Sequence, residues 1–588
     1  MLFQMQKTVS FLLQILLLLP VCYGYSFKDN KRQLAPQWEE ISLSFSSEFE
    51  YHNPYMDVEM HAVFIHDNGT TLVRPAFWDG GNTWKIRFAS PLDEGNWRYT
   101  TYCSDQNNTG LHNQKAVIEA TGYEGNNNLI KNGFLKMSPG HRNIIHANGH
   151  PFVLAADTPW ALPFRGTIET VGIYAADRQE KGFNAALLMS LMPDREVEGP
   201  RDRESVGGFD VAFEDLPEGH ITRMNISYFQ YLDKLIDILI DHGIVPVYQP
   251  VFHGWGWKGG NALGRDMDPV EYAGYCRYLV ARYGARPSIW LVCGDGYGNN
   301  PGVKEGGEEI GKWDAYRHPA GLHYNPFDFW CPEGWGGTEC FHENSVHQDA
   351  WWLDFQWCQT GHEGEHLPEK VYRMYYNEPV KGVANGESSY EAMGEDQEKA
   401  AGWWQGHQAW LQFTSGGTMG HVYGAGALWN WKLFPDEPGW TVWADGNDLS
   451  WKEALDLEGA NYVGIFGRIL RNYDITDIQL RHDLAGGELM LARPGELYIC
   501  YLPEGGPVSV EGVGPDLPYR WYDPKSGERG EELQTRNGNF SAPGNGPRVL
   551  IIGSPFYKYT TPSGTDQQPE EGPARSPYMA ARTLESDH

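Results

Sequence analysis

The sequence is poor in cysteine for its length. Eight of its 588 residues are cysteine, and seven of these lie beyond residue 24, at positions 103, 276, 293, 331, 340, 358 and 500. An odd number scattered so widely excludes the disulfide framework of small secreted domains. Cys331 and Cys340 flank a Gly-Trp-Gly-Gly segment. They either form a disulfide in an oxidising compartment or remain two free thiols.

Basic residues are also scarce relative to acidic ones. The chain has 46 Lys and Arg against 77 Asp and Glu, a formal net charge of −31 at pH 7. Nucleic-acid binding depends on patches of Lys and Arg, so this composition argues against a nucleic-acid partner. It also disfavours a strongly anionic polymer as substrate, unless the binding cleft is locally basic.

Only one long apolar run is present, from Val9 to Val21. It follows Lys7 and precedes a small residue, which is typical of a cleaved signal peptide over residues 1–24. No other segment reaches the roughly 18 apolar residues that a membrane-spanning helix needs. We therefore expect a secreted or periplasmic protein. A lipid anchor at Cys22 is less favoured, because the preceding Pro-Val pair does not suit such a site.

The pattern of apolar residues changes twice along the chain. Residues 25–126 contain short alternating segments separated by turns, which predict a β-sandwich. Residues 127–476 alternate apolar strands with amphipathic helices, and residues 477–556 return to short β-type segments. The tail, residues 557–588, is rich in Pro, Ser and charge and is expected to be disordered.

The central region has eight candidate strands between helices. Near-continuous apolar strands of this kind predict a parallel sheet covered by helices, and eight of them favour a (β/α)8 barrel. The candidate strands are Phe152–Asp157, Phe183–Met189, Ile244–Val251, Ser288–Asp295, Ala315–Ala320, Trp352–Phe355, Val380–Glu387 and Gly417–Trp431. The predicted fold is thus a multidomain chain in which a TIM barrel is flanked by an N-terminal β-sandwich and a small C-terminal β-domain.

Two carboxylates end strands of the predicted barrel, Asp295 on the fourth and Glu387 on the seventh. Active sites of such barrels lie at the C-terminal ends of the strands. A pair of carboxylates across the mouth is the arrangement that glycoside hydrolysis needs. The alternatives are a helix N-cap for Asp295 and a buried ion-pair partner for Glu387.

Six motifs in order resemble those of the apiosidase-like glycoside hydrolases. They are Asp157-Thr-Pro-Trp160, Gly182-Phe-Asn184, Trp290-Leu-Val-Cys-Gly-Asp295, Trp352-Leu-Asp-Phe355 with Gln359-Thr-Gly-His362, Glu387-Ser-Ser-Tyr-Glu391 and Gly420-His-Val-Tyr-Gly424. The resemblance implies an N-terminal β-sandwich, a C-terminal β-domain named for collagen binding, and a retaining mechanism. In that mechanism Asp295 is the acid/base and Glu387 the nucleophile. Cys293 stands where the family has a Gly, and an insertion at residues 322–347 is unusual, so the sugar stays open.

Further polar and aromatic residues near strand ends are predicted to bind substrate. Each has the alternative of being an ordinary core or loop residue with a satisfied hydrogen bond. They are Asp157, Trp160, His253, Trp255, His318, His362, Glu391, His421, Tyr423 and Trp429.

The segment His362-Glu-Gly-Glu-His366 matches a zinc-protease motif. That chemistry needs both His side chains on one face of a helix, which Gly361, Gly364 and Pro368 disfavour. We therefore expect no metal and no cofactor. The predicted function is exo-acting cleavage of a plant- or algal-type oligo- or polysaccharide. The alternative is a non-catalytic glycan-binding or adhesion protein with an inactive barrel.

Overall fold

The computed structural model describes residues 33–196, 201–254, 261–326, 344–362, 364–393, 398–437 and 448–556. The predicted signal peptide, the predicted disordered tail, Trp255, Cys331 and Cys340 lie outside the described residues. Within them the chain forms a closed parallel eight-stranded barrel preceded and followed by mostly antiparallel sheets. The predicted fold class is confirmed, while the domain limits stay predictions.

Two facing sheets form the N-terminal β-sandwich, with strand orders β1-β8-β7-β3-β4 and β2-β6-β5. The alternation of buried residues explains this packing. In strand β3 every second residue from Met60 to His66 is buried, as in a strand with one face in the core. A short helix covers Pro54–Asp57. The strands are β1 Gln33–Pro36, β2 Glu40–Ser46, β3 Met60–His66, β4 Thr71–Pro75, β5 Phe77–Trp78, β6 Thr83–Ala89, β7 Asn96–Cys103 and β8 Lys115–Thr121.

A small three-stranded sheet leads into the barrel, with a short helix at Asn128–Lys131 before it. Its strands are β9 Leu135–Met137, β10 Ile144–His146 and β11 Pro151–Phe152. The barrel strands follow as β12 Leu154–Asp157, β13 Ala185–Met189, β14 Val245–Gln249, β15 Ile289–Gly296, β16 Ala320–Tyr324, β17 Phe355–Gln359, β18 Gly382–Glu387 and β19 Gly420–Tyr423. All but one of their residues are buried, as strands covered on both faces must be.

Two predicted strands were placed too early in the sequence. Residues 315–319 form a turn in which Arg317 has a φ of 60°, and β16 begins only at Ala320. Trp352 likewise lies in a turn, where it packs against Gly307, and β17 begins only at Phe355. An apolar side chain that covers a helix has the same pattern in the sequence as one inside a strand.

Helices surround the barrel, and capping residues and glycines in the sequence mark where they begin and end. The helix Ile168–Lys181 begins with a capping box at Thr167 and ends at Gly182 in the left-handed conformation. The others are Leu162–Arg165, Ile226–Asp241, Pro269–Tyr283, Val303–Trp313, Pro368–Tyr375, Trp403–Thr414, Gly426–Trp429 and Gly459–Leu470, with 3-10 turns at Leu216–Glu218, Leu263–Arg265, Glu453–Asp456 and His482–Ala485. In the described part of the chain, no helix is long and apolar enough to cross a membrane.

The C-terminal domain is built from a six-stranded sheet, β20-β21-β22-β27-β24-β25, and the two-stranded β23-β26. Its core is apolar and centres on β22 and β27, every residue of β22 being buried. The strands are β20 Gln479–Leu480, β21 Leu489–Arg493, β22 Leu497–Leu502, β23 Pro507–Ser509, β24 Pro518–Tyr522, β25 Leu533–Gln534, β26 Asn539–Ser541 and β27 Arg548–Ile552.

A buried charge network joins the N-terminal sandwich to the barrel. Arg87 of β6 and Arg282 of a barrel helix both bind the carboxylate of Asp233, at 2.5 and 2.7 Å. Arg282 also binds Asp79 of the sandwich at 2.9 Å. Since buried charges persist only when paired, this network fixes how the two domains are placed.

Candidate active site

Asp295 lies at the C-terminal end of β15, the fourth barrel strand, as predicted. The pairing of β15 with β16 is interrupted twice between Leu291 and Gly296, and Asp295 has a φ of 53°. β-Bulges and left-handed residues re-aim side chains near active sites. The backbone amide of Asp295 donates to Nδ1 of His323 at 3.0 Å.

Glu387 ends β18, the seventh strand, and is only 7% exposed. A bulge at Gly386 decides where its side chain points. Trp357 is paired with His323, and Gln359, two residues further on, is paired with Glu387 across the bulge. Paired residues share a face, and so do residues two apart in a strand. Glu387 therefore points to the same side of the sheet as His323.

Three side chains surround the Glu387 carboxylate. His323 Nε2 lies 3.3 Å from one oxygen and His362 Nε2 lies 3.5 Å from the other. The Tyr390 hydroxyl also hydrogen-bonds to the carboxylate. Burial alone raises the pKa of Glu387, but the hydrogen bonds from His362 and Tyr390 and the nearby Nε2–H of His323 outweigh it and leave this pKa below its usual range. Glu387 is consequently ionised at neutral pH.

His323 links the two carboxylate residues through a single ring. Its Nδ1 accepts from Asp295, so the proton of the neutral ring is on Nε2, which faces Glu387. Burial lowers the pKa of His323, which keeps this ring neutral. The fourth and seventh strand ends therefore meet at one site, with one imidazole between the Asp295 amide and the Glu387 carboxylate.

Trp160 and His362 join this site, as predicted. The indole Nε1 of Trp160 donates to the Tyr390 hydroxyl at 2.7 Å, and its ring lies 6.1 Å from that of His323. The His362 ring is 4.6 Å from the Tyr390 ring. Tyr390 is thus the contact point between the loops that follow β12, β17 and β18.

Asp157, Glu391 and Tyr423 are bound to other partners. Asp157 is fully buried and forms an ion pair with Arg178 at 2.6 Å. Glu391 accepts from the Tyr423 hydroxyl at 2.8 Å and from the backbone amides of Gly402 and Gly459. These hydrogen bonds hold loops and helices onto the barrel. No contact of these three residues with Glu387 is present in the described ranges.

His318 is a correction to the predicted site. It precedes β16, so it lies at the N-terminal end of the barrel rather than at the mouth. Its Nδ1 is 3.0 Å from Asp314, a buried carboxylate that also accepts from the Trp290 indole at 2.9 Å. His318 therefore belongs to the packing beneath the barrel. The misplaced strand is the reason for the error.

The other predicted residues have mixed positions. His253 follows β14, donates its amide to Gly294 at 3.2 Å and lies beside the fourth strand. His421 is inside β19 and fully buried. Burial lowers the pKa of each of these imidazoles to about 3, so both rings are neutral. Trp429 is buried at the end of the short helix Gly426–Trp429 that follows β19, and its backbone carbonyl accepts from the Ala161 amide at 3.0 Å.

The zinc-protease motif does not lie on a helix. The helix Pro368–Tyr375 begins only after His366, whose ring hydrogen-bonds to Gln408 at 2.6 Å and stacks on Trp404. His362 instead faces Glu387. The two imidazoles therefore have different partners, and the described residues contain no group of three or more His, Cys, Asp or Glu suited to a metal ion.

Comparison with known families agrees with this geometry. The sequence profile of the apiosidase-like catalytic domain matches residues 138–477, more than half of the chain. The chain belongs to the apiosidase-like family. The enzyme is a glycoside hydrolase. A second profile, a domain of unknown function (DUF5060), matches residues 35–104 of the N-terminal sandwich. No curated protein matches the sequence.

Solved structures share the fold of this apiosidase-like chain. A glycoside hydrolase of family 5 from Bacteroides vulgatus ATCC 8482 has a TM-score of 0.57 and 20% identity, covering 72% of this chain and 94% of its own. A second protein of that strain, a candidate glycoside hydrolase, has a TM-score of 0.60 and 17% identity, covering 89% and 100%. At identities of 20% and 17%, these comparisons show a shared fold alone.

Sequence reasoning missed two site residues of this apiosidase-like enzyme. Tyr390 lies inside the motif Glu387-Ser-Ser-Tyr-Glu391, so its position was visible but its role was not. His323 was hidden because the fifth strand was placed too early, which left it in a loop. A histidine that closes an apolar strand is the signal that would have identified it.

Proposed function

We propose that this enzyme cleaves glycosidic bonds with retention of configuration, using Glu387 as nucleophile and Asp295 as acid/base. The observation that carries the proposal is the meeting of the two strand ends around His323. A nucleophile must be ionised, and the low pKa of Glu387 supports that role. Retention requires the two carboxyl groups to be about 5 to 5.5 Å apart, against about 6.5 to 9.5 Å for inversion.

The reaction then takes two steps. In the first, Asp295 protonates the glycosidic oxygen while a Glu387 oxygen bonds to the anomeric carbon, and the alcohol leaves. In the second, Asp295 accepts a proton from water, the water oxygen bonds to the anomeric carbon, and the bond to Glu387 breaks. Asp295 is protonated again and Glu387 is an anion again. Hydrogen bonds to Glu387 from Tyr390 and His362 hold its carboxylate in place between turnovers.

The substrate we propose is a terminal sugar of a plant- or algal-type polysaccharide. The family name supports exo action on a plant sugar, and the acidic composition supports a neutral rather than polyanionic chain. The N-terminal run of apolar residues after Lys7 supports export from the cytoplasm. Apiose is one sugar among those to be tested.

Stereochemistry and trapping test this proposal directly. A panel of plant and algal polysaccharides is screened first, and the anomer formed initially from an active substrate is then followed by NMR. We expect the product to have the same anomeric configuration as the substrate. We also expect a fluorinated sugar to label Glu387, as located by peptide mass spectrometry. Glu387→Gln is the control that takes up no label. An inverted product, or label on another residue, would refute the assignment. Full activity of Asp295→Asn on a substrate with a poor leaving group would refute the acid role.

A further inference from the structure

A cavity lies at the junction of the N-terminal sandwich and the barrel, separate from the catalytic mouth. It has a volume of about 180 Å³. Tyr55 and Trp78 of the sandwich form one wall, and Tyr278 and Trp313 of the barrel helices form the other. Since a cavity of about 150 Å³ holds a benzene molecule, this one accommodates a single six-membered ring.

The walls combine aromatic rings with polar groups. Arg277 and Glu59 form an ion pair of 2.9 Å at the edge, with 28% and 65% of their side chains exposed. The Tyr55 ring lines the cavity, whereas its hydroxyl is inaccessible to solvent. Sugar recognition uses this combination, in which apolar ring faces meet aromatic side chains and hydroxyls meet a few polar groups.

The cavity is preformed because its sandwich wall is fixed. Trp78 donates its indole N–H to the Gly81 carbonyl at 2.8 Å. The next residue, Asp79, is bound by Arg282 at 2.9 Å and by Lys85 at 2.6 Å. A rigid site loses less entropy on binding than a mobile one. The same charge network that joins the domains therefore also shapes this cavity.

We propose that this cavity is an ancillary site that binds one sugar ring of a neutral polysaccharide. Arg277 is neutralised by Glu59, and the whole chain is acidic, so a polyanion is not favoured. A lipid is not favoured either, because a charged ion pair lines the site. The proposal uses the glycoside hydrolase class of the enzyme and is independent of the roles of Asp295 and Glu387.

Gly274 offers a selective way to block the cavity. It lines the cavity from the helix Pro269–Tyr283, and a Cβ added there meets nothing within 4 Å. Leucine is also a better helix former than glycine, so Gly274→Leu fills the cavity without unfolding the helix. Gly172 is the matched control, since it lies in the helix Ile168–Lys181 with equally open space around its Cβ position and does not line the cavity.

The test is affinity electrophoresis of the full chain carrying Glu387→Ala, so that hydrolysis does not consume the polymer. Gels contain galactan, arabinan or mannan, with polygalacturonate as the polyanionic control. We expect retardation by at least one neutral polymer. Gly274→Leu should raise its Kd about tenfold or more, while Gly172→Leu leaves the Kd unchanged. Activity of Gly274→Leu with wild-type Glu387 on a small aryl glycoside should stay at the wild-type value.

Three results would overturn the proposal. One is equal retardation of Gly274→Leu and Gly172→Leu, and another is retardation by polygalacturonate alone. The third is no retardation by any neutral polymer. The proposed catalytic roles fail in a different experiment, the labelling of Glu387, so the two failures are distinguishable. Trp313→Ala tests the cavity by removing one aromatic ring from its wall. Trp351→Ala is the control, because Trp351 is exposed and does not line this cavity.

Discussion

At the scale of single residues, the state of Glu387 depends on two imidazoles that differ in their role. His323 is neutral and bridges to Asp295, whereas His362 approaches the other Glu387 oxygen from a more exposed position, with 19% of its side chain accessible. Burial opposes ionisation of Glu387, so its low pKa is maintained by these neighbours together with the hydrogen bond from Tyr390.

Replacing His362 should therefore shift the acid side of the pH profile. In His362→Leu the pKa of Glu387 rises, because burial is then less opposed, and the ionised form of this proposed nucleophile is lost at a higher pH as the solution is acidified. We expect the acid limb of kcat/KM to move up by roughly one pH unit. His362→Gln, which keeps a donor, should move it less. The profile is measured from pH 3 to 8, and an unchanged acid limb in His362→Leu would contradict this account of the site.

Asp157 shows how far residue types alone can predict a site. It closes an apolar strand as Asp295 and Glu387 do, but its partner Arg178 comes from the following helix and is also fully buried. Nothing in the local pattern distinguishes a strand-end carboxylate that faces the mouth from one that binds a helix. The strand-end positions of Asp295 and Glu387 were predictable because both follow apolar strands, whereas the neighbours of each carboxylate depend on how the loops and helices fold back.

The ion pair of Asp157 and Arg178 should contribute to stability rather than to catalysis. Arg178→Met leaves a buried carboxylate without its partner, which should lower the free energy of unfolding by about 3 to 5 kcal/mol. The double variant with Asp157→Asn should recover part of that loss. Urea unfolding of the wild type, Arg178→Met, Asp157→Asn and the double variant gives the coupling between the sites. A loss in the double variant equal to the sum of the two single losses would show that the charges are not coupled.

At the scale of elements, the site depends on interruptions in two strands. The first four barrel strands were predictable, since apolar runs are bounded by helices that end at glycine. The bulges in β15 and β18 were not, because a bulge inserts one residue without changing composition. Only the pairing in space shows that Gly386 is the extra residue and that Glu387 turns toward His323.

Gly386→Ala tests whether this bulge positions the site. A Cβ at Gly386 would lie 2.9 Å from the His323 ring and 2.9 Å from Trp357, so the imidazole must move. We expect kcat/KM to fall roughly tenfold to hundredfold, as small displacements of catalytic groups do. Thermal unfolding should still show a folded, cooperative protein. Gly172→Ala, placed in open space, should keep full activity. A fully active Gly386→Ala would mean that the ring position is unimportant.

At the scale of the whole molecule, the sandwich is attached to the barrel by charge as much as by apolar packing. Arg87 and Arg282 contribute from opposite sides of the junction, and Asp233 accepts from both. The composition predicted two β-domains around a barrel, but not their attachment, because the partners are far apart in sequence. A rigid attachment also explains how the proposed ancillary cavity keeps its shape beside the catalytic domain.

Asp233 should make the junction sensitive to acid. Burial raises the pKa of Asp233, but the charges of Arg87 and Arg282 outweigh burial and hold it well below its usual value. A carboxyl whose native pKa is depressed stabilises the fold above its unfolded pKa of about 3.9, and this contribution is lost as the pH falls toward the native value. The stability of the wild type, measured by thermal unfolding, should therefore fall steeply below about pH 4. Asp233→Asn should be less stable at pH 7, by about 3 to 5 kcal/mol, with a flatter pH dependence. If both proteins respond to acid equally, the stability of the junction comes from its apolar contacts instead.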